Sequence, residues 1–350
     1  MKNNKNNILG LDQYINEALY NKKSGYYMNS NPFGEKGDYI TSPNISIIFS
    51  EMIAIWIISF WENLRYPKKF NLIELGAGNG EMMNQIIKTF EKFPDFRKAC
   101  KINILEKSNY LKKIQNKKLK DYDIKWLKNL NEISNIPNIF IANEFFDALP
   151  IKQFIKKKNV WFEKKIKYNA FSKPSYLDIL ADMKKLEKKI DFNISYKQDF
   201  VEFSPLALDY LKIISKKINN NSGGILIIDY GYWDSKMKDT IKSIYKHKFN
   251  DILTNFGKAD ITHNISFELL IKILQKFNLK INGKINQGDF LQNLGILKRA
   301  EIISKTLPFS KKADIYYRIK RLIDKNLMGQ LFKVIFATKK NTKFQIGFKN

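Results

Sequence analysis

Three acidic side chains stand where an apolar run gives out: Glu74 in LIELGAGNG, Glu106 in KINILEKS and Glu144 in NIFIANEFFDALPI. Open α/β sheets carry their ligand chemistry outside the carboxyl ends of strands, which is where such residues emerge. Glu74 is followed by Gly76, Gly78 and Gly80, and glycines let backbone N–H groups approach a ligand closely at the start of a helix. The spacing is G-x-G-x-G. A dinucleotide fingerprint needs G-x-G-x-x-G, and a phosphate loop needs its second glycine five residues after the first and then a lysine; neither fits. Glu74 ahead of the loop and Glu81 behind it would repel a pyrophosphate, and they suit a ligand with a positive amino group. S-adenosylmethionine has an α-ammonium, a sulfonium and no phosphate. Glu106, at the end of the next strand, is placed to accept both hydroxyls of its ribose. The loop and its two acids, Glu74 and Glu106, therefore point to a methyl donor.

The acceptor side begins at Asn143, Glu144 and Asp147, polar groups beside Phe145 and Phe146. N-methyltransferases of nucleobases carry an Asn or Asp, two prolines and an aromatic residue at this place; here the prolines are absent and acids stand instead. Carboxylates three apart share one face of a turn and can grip a guanidinium bidentately, leaving electron density on the nitrogen that attacks. Asp147 could equally cap a following helix. Upstream, FGEKGDYITSP offers Gly34 and Gly37 and then the hydroxyls of Tyr39, Thr41 and Ser42. It reads as a loop that folds over the methionine end of the cofactor, with a plain surface turn as the other reading.

The elements that must hold these groups alternate. NLIEL, KINILE (101–106), DIKWL (123–127), NIFIANEF (138–145) and GGILIIDYG (223–231) are strand-like runs, with helical stretches between most of them. Such alternation makes parallel βαβ units, and continuous apolar runs mean strands covered on both faces. Residues 151–169 alternate with period two and read as a hairpin with one solvated face. Ser204-Pro205 marks a helix N-cap and first position. Further helices are expected at 266–278 and 313–326, and a closing strand at 330–340. The apolar stretch 45–61 is shorter than the ~20 residues a bilayer needs and contains Glu51, so it reads as a buried helix. The expected architecture is α/β with a Rossmann-like core. An N-terminal helical and lid segment spans 1–70, and the core spans 71–350 with a β/α insertion at about 151–200.

Composition narrows the function. One cysteine, Cys100, and two histidines, His247 and His263, exclude an intrachain disulfide and leave too few ligands for a zinc site. The formal charge of +27 raises the question of nucleic acid, but Arg occurs only at 65, 97, 299, 318 and 321. Arg is the residue that forks onto phosphates and guanine edges. Lys, Asn and Ile are abundant throughout, as an AT-rich bacterial genome would give, so no specific nucleic-acid partner and no membrane insertion are expected. The N-terminus has neither a secretory core nor an Arg-rich transit character. A cytoplasmic protein is expected, with the mitochondrial matrix as the alternative.

Several motifs occur together and in order: GYYMNSNPFGEKGDYITSPNISIIFSEMIAIW (25–56), ELGAGNGEMM, ANEFFDALPI, VEFSP, LIIDYG, KADITHNISF (258–267), QGDFLQNLGI (287–296) and MGQLFKVI (328–335). In this the chain resembles the MidA family of S-adenosylmethionine-dependent methyltransferases, which includes a mitochondrial complex I assembly factor that methylates arginine. The resemblance covers most of the chain and is weakest over 151–200. It implies a class I methyltransferase with S-adenosyl-L-methionine as cofactor, held by Glu74, Gly76, Gly78, Gly80, Glu106 and the lid residues Gly37, Thr41 and Ser42. It implies no metal, and an acceptor arginine on a complex I subunit gripped by Glu144 with Asp147 and Asn143. Ala77, Asn79 and Glu81 stand where the family commonly has Pro, Arg and Thr, and Ser266 replaces a common acid; Asp260 and Thr262 match. Two other functions fit the same residues: a non-catalytic assembly chaperone that binds the cofactor, and a small-amine or nucleobase N-methyltransferase. Monomer and homodimer are both open.

Overall fold

The computed structural model of the chain describes residues 7–30, 32, 41–169 and 172–349; Gly34, Gly37 and Tyr39 of the expected lid lie outside them. Among the described residues the central sheet has eight strands. Seven lie along its main path and are numbered in chain order: β1 (Phe70–Leu75), β2 (Cys100–Leu105), β3 (Ile124–Leu127), β4 (Asn138–Asn143), β5 (Gly223–Tyr232), β6 (Leu279–Asn286) and β7 (Phe332–Lys339); the eighth, the short Ile265–Ser266, pairs with the end of β5. Across the sheet their order is β6-β7-β5-β4-β1-β2-β3. Strands β5, β4, β1, β2 and β3 run parallel, and β7 lies antiparallel to both β5 and β6.

Both faces are covered, which is why the strands read as unbroken apolar runs. Leu72, Ile139 and Leu226 enter one core with Trp56, Phe60 and Met83, from the helices Ile47–Asn63 and Glu81–Phe90. Their strand neighbours Ile73, Phe140 and Ile227 enter the opposite core with Leu211 and Phe267, from the helices Pro205–Asn221 and Phe267–Lys276. Period-two side chains sort to opposite faces, and each face meets its own helices. Helix Ile47–Asn63 is capped by the Ser46 hydroxyl, which accepts from Ile48 N. It has apolar contacts almost all round, with Trp56 and Phe60 edge-on to Phe336 of β7. Ser204 caps Pro205–Asn221 by accepting from Ala207 N.

The hairpin at 151–169 consists of strands Lys152–Lys157 and Val160–Asn169. Lys158 and Asn159 between them have φ of 47° and 64°, the two left-handed positions of a tight hairpin turn. Three further strands that the sequence reading does not contain complete this sheet: Ser172–Leu180, Phe200–Phe203 and Asn7–Gly10, the last pairing with Val160–Asn169. A third small sheet joins Lys242–Tyr245, Lys248–Asn250 and Asp260–Thr262. Helix Leu11–Tyr20 packs onto both additions in a third core, in which Leu11, Tyr14 and Ile15 meet Ile166 and Ile261. Among the described residues no helix is long and apolar enough to cross a membrane, and no group of His, Cys, Asp and Glu is arranged to hold a metal ion.

Candidate active site

The loop after β1 needs its glycines. Gly76, Gly78 and Gly80 have φ of 67°, 52° and 76°, all left-handed, a region that side chains with a Cβ enter only at a cost. Gly76 N donates to Leu105 O of β2 at 2.9 Å, and a Cβ on Gly76 would lie 2.7 Å from the Phe145 ring. Glu74 is buried beneath the loop, with Oε2 lacking a hydrogen-bond partner. Burial, and after it the charge of Glu106, push its carboxyl up to about 8. Glu106 accepts from Ser108 N at 2.9 Å and from Gln115 Nε2 at 3.1 Å, yet burial still raises it. The Gln115 amide also donates to Gly78 O at 2.8 Å and so ties the acid to the loop. Glu81, read from the sequence as a second acid flanking the ligand, turns instead to Lys118 at 2.6 Å and Gln85 at 2.8 Å. With its charge paired to Lys118, Glu81 leaves Glu74 as the loop's flanking acid.

The residues after β4 form turns, so no helix exists for Asp147 to cap. Glu144 occupies a left-handed φ of 52°, and its N–H donates to Ile228 O at 2.9 Å. Its Oε1 accepts from Ser42 N at 3.1 Å and from Asn143 Nδ2 at 3.2 Å. Burial, then the charge of Asp147, push the Glu144 carboxyl up to about 8. Asp147 Oδ2 accepts from the Tyr230 hydroxyl at 2.5 Å, Oδ1 is buried without a partner, and burial raises the carboxyl. Asp229, within β5, fastens this turn: Oδ2 accepts from Phe146 N and Asp147 N at 3.0 and 3.3 Å, and Oδ1 accepts from Tyr230 N at 2.9 Å.

Thr41 and Ser42 do lie at the site. Besides the Ser42 bond to Glu144, Asn44 Nδ2 donates to Thr41 Oγ1 at 2.6 Å, and Asn79 Nδ2 donates to Asn44 Oδ1 at 3.1 Å. The 41–46 segment is thereby clasped to the glycine loop, with Asn79, at the position where the family commonly has Arg, as the clasp. A cavity of about 350 Å³ is lined by Gly76, Gly78, Glu106, Glu144, Asp147 and Asp260 among others. The structure thus brings Gly76, Gly78, Glu106, Thr41, Glu144 and Asp147 to one cavity. Glu74 and Asn143 lie in the adjoining crevice under the loop, and Gly37 falls outside the described residues. Four tyrosines absent from the sequence reading, Tyr20, Tyr27, Tyr210 and Tyr230, also line the cavity. Tyr230 and its neighbour Asp229 carry the same signal as Glu144, a polar group closing an apolar strand. Tyr20 and Tyr27 carry none, because only the tertiary fold brings the N-terminal segment against Ala148 and Asp260.

The strand order, the glycine loop after β1 and the acids closing β1 and β2 define a Rossmann-like class I methyltransferase that uses S-adenosyl-L-methionine. Residues 52–285 match the family described as S-adenosyl-L-methionine-dependent methyltransferase, and the chain belongs to that family. It is 30% identical to the Xenopus laevis "Protein arginine methyltransferase NDUFAF7, mitochondrial" over 92% of this chain and 79% of that protein. The Homo sapiens protein of the same name is 30% identical over 96% and 81%. A Burkholderia thailandensis protein crystallised with S-adenosyl-homocysteine superposes with a TM-score of 0.81, covering 98% of this chain and 89% of that one at 20% identity. A likeness at that identity speaks to the fold.

Proposed function

We propose that this methyltransferase acts on a guanidinium nitrogen of a protein arginine, on a subunit of NADH:ubiquinone oxidoreductase. The observation that carries the reading is the carboxylate pair Glu144–Asp147, half-buried and buried on the lining of the cavity that the glycine loop opens into, both acids raised, and neither with a lysine or arginine among its described hydrogen-bond partners. The names of the relatives support it. Those names also include the word mitochondrial, which favours the mitochondrial matrix over the cytoplasm as the compartment.

The residues present fit the cofactor. The unpartnered Glu74 Oε2 suits its ammonium, Glu106 its ribose hydroxyls, the left-handed glycines its close approach, and Thr41, on the cavity lining, its methionine end. When bound, S-adenosyl-L-methionine supplies an electrophilic methyl group on a sulfonium. The chain's own task is alignment and charge. Glu144 and Asp147 take the guanidinium bidentately and hold one nitrogen in line, the geometric contribution that dominates such transfers. The backbone bond from Glu144 to Ile228 and the Asp229 grip on residues 146–147 keep both carboxylates in place. As the nitrogen gains its methyl group it sheds a proton, and a carboxylate oxygen of the pair, already raised in proton affinity, receives it.

Glu74 makes binding pH-dependent. Its carboxyl ordinarily titrates near 4.5 and here near 8, so below about 8 the free protein holds it protonated. A cationic ligand binds the ionised form, so each unit of pH below 8 is expected to weaken the affinity for S-adenosyl-homocysteine by up to about tenfold, with a plateau above 8. Calorimetric titrations between pH 6 and 9 measure this; Glu74→Gln should flatten the profile, and a wild-type affinity that is already level in pH contradicts the Glu74 role.

The function itself is tested by mass spectrometry of the peripheral-arm subunits of complex I from cells with and without this gene. A methylarginine that disappears with the gene is expected. Identical methylation in both samples would overturn the proposal.

A further inference from the structure

Tyr230 stands near the carboxyl end of β5, opposite Phe332 of β7 in the antiparallel register. Its ring meets the Phe332 ring edge-on, with centroids 5.6 Å apart, and its N–H donates to Asp229 Oδ1 at 2.9 Å. Two strands of the central sheet thus aim the phenol, and its hydroxyl donates to Asp147 Oδ2 at 2.5 Å. The other carboxylate oxygen, Asp147 Oδ1, is buried without a partner. Glu144 is divided in the same way. Its Oε1 accepts from Ser42 N and Asn143 Nδ2, and among the described residues no hydrogen bond reaches Oε2. Both acids and Tyr230 line the cavity. The Asp147 main chain is held as well: its N–H donates to Asp229 Oδ2, and its carbonyl accepts from His263 N at 3.1 Å. Backbone and one carboxylate oxygen are therefore both fixed.

We infer that Tyr230 is a positioning residue of the acceptor site: by holding Oδ2 it fixes the rotation of the Asp147 carboxylate and leaves Oδ1 to meet the acceptor cation. With Oε2 of Glu144 left in the same way, the clamp offers one oxygen from each acid. A buried acceptor atom without a partner is costly, and Oδ1 gains one when a cationic N–H arrives. A guanidinium carries N–H donors on separate nitrogens, so it can meet two such oxygens at once. The bond has a second effect. A donor to a carboxylate favours its charged form, so Tyr230 opposes the burial that raises Asp147. Burial and the charges of Asp147 and Asp229 raise the phenol, which keeps it protonated as a donor. The other titrating groups round Asp147 are Glu144 on the same turn, Asp229 beside Tyr230, His263, and Tyr20 and Tyr27 of the N-terminal segment, with Asp260 on the shared cavity lining. Among the described residues, Tyr230 is the side chain hydrogen-bonded to the Asp147 carboxylate. The inference rests on the arginine reading, and it adds which carboxylate oxygen does the gripping and what sets it.

The test titrates the full chain, loaded with S-adenosyl-homocysteine, with ethylguanidinium at pH 7, 8 and 9. Wild type is compared with Tyr230→Phe, which keeps the ring and removes the hydroxyl. Without the donor, Asp147 holds its proton to higher pH, and a protonated acid does not grip a cation. Ethylguanidinium affinity should therefore fall by up to about tenfold at pH 7, as a rise of about one pH unit in Asp147 would give. The gap should narrow to about threefold or less at pH 9, where the acid ionises in both proteins. Affinity for S-adenosyl-homocysteine should stay within about twofold throughout, which shows that the variant is folded. In turnover on peripheral-arm subunits from cells that lack this gene, the acid limb of kcat/KM should move to higher pH by about the same amount. A loss equal at pH 7 and pH 9 would make Tyr230 a packing residue and overturn the inference. Unchanged ethylguanidinium binding, or a matched loss of S-adenosyl-homocysteine, would overturn it too. These outcomes leave the arginine reading standing, because wild type still binds ethylguanidinium. A wild type that binds no ethylguanidinium and methylates no arginine overturns the arginine reading, and the role of Tyr230 with it.

Discussion

Glu144→Gln is expected to slow methylation by about 10²-fold or more while cofactor affinity stays near wild type, the scale for losing a positioned charge in a closed site. Gln keeps the size of the side chain and an oxygen for Ser42 N, so the clasp of the 41–46 segment survives. What disappears is the negative charge that orients the guanidinium and the oxygen that receives its proton. Stability should move the other way. The Glu144 carboxyl ordinarily titrates near 4.5 and in the folded protein near 8. Ionising it therefore costs stability progressively as pH rises between those values. The variant is spared that cost, so its Tm at pH 8–9 should equal or exceed that of wild type. Steady-state rates, calorimetric cofactor titration and thermal melts on one preparation separate the effects. The same variant decides between enzyme and chaperone. Complex I assembly at the wild-type level in cells that carry Glu144→Gln and lack detectable methylarginine would overturn a catalytic role; joint loss would support it.

Gly78→Val is expected to abolish cofactor binding. At φ 52° a β-branched residue meets the steric cost of the left-handed region, about 1–2 kcal/mol, and its side chain would add bulk in the cavity that Gly78 lines. Because that bulk lies in the cavity and outside the two cores of the sheet, the loss of fold stability should stay near the strain itself. Calorimetry with S-adenosyl-homocysteine checks the first part and denaturant unfolding the second. Unchanged affinity would remove the glycine loop from the cofactor site.

The sheet was legible because its strands are buried on both faces: Ile139–Ala142 and Ile225–Ile228 are apolar without alternation, and acids stand at or near the carboxyl ends of such runs. Glu74, Glu106 and Glu144 could be found for that reason. Glu81 was misread because sequence proximity to a loop says nothing about a lysine 37 residues away that claims its charge. Asp147 was open to a capping role until the chain was seen to turn there without a helix, which freed its carboxylate for Tyr230. Strand Ser172–Leu180 contains a proline and two charged residues and lies off the main path of its sheet, so its composition resembles a loop. Tyr20, Tyr27 and Asp260 could not be grouped from sequence, because the Tyr27–Asp260 bond spans 233 positions and exists only once the N-terminal segment packs on the strand Asp260–Thr262.

The pairing of Asn7–Gly10 with residues 165–168 of the hairpin has a consequence for birth on the ribosome. The N-terminal strand has no partner until those residues have left the exit tunnel, a wait on the order of ten seconds at ordinary rates of synthesis. Asp260, which receives Tyr27, emerges later still. Through that interval Leu11, Tyr14, Ile15 and Leu19, buried in the finished protein, are displayed on a nascent segment with nothing to cover them. The cavity is therefore completed late, by a segment made well before its partners. A holdase that shields an early apolar helix would act on its assembly more than on the central sheet.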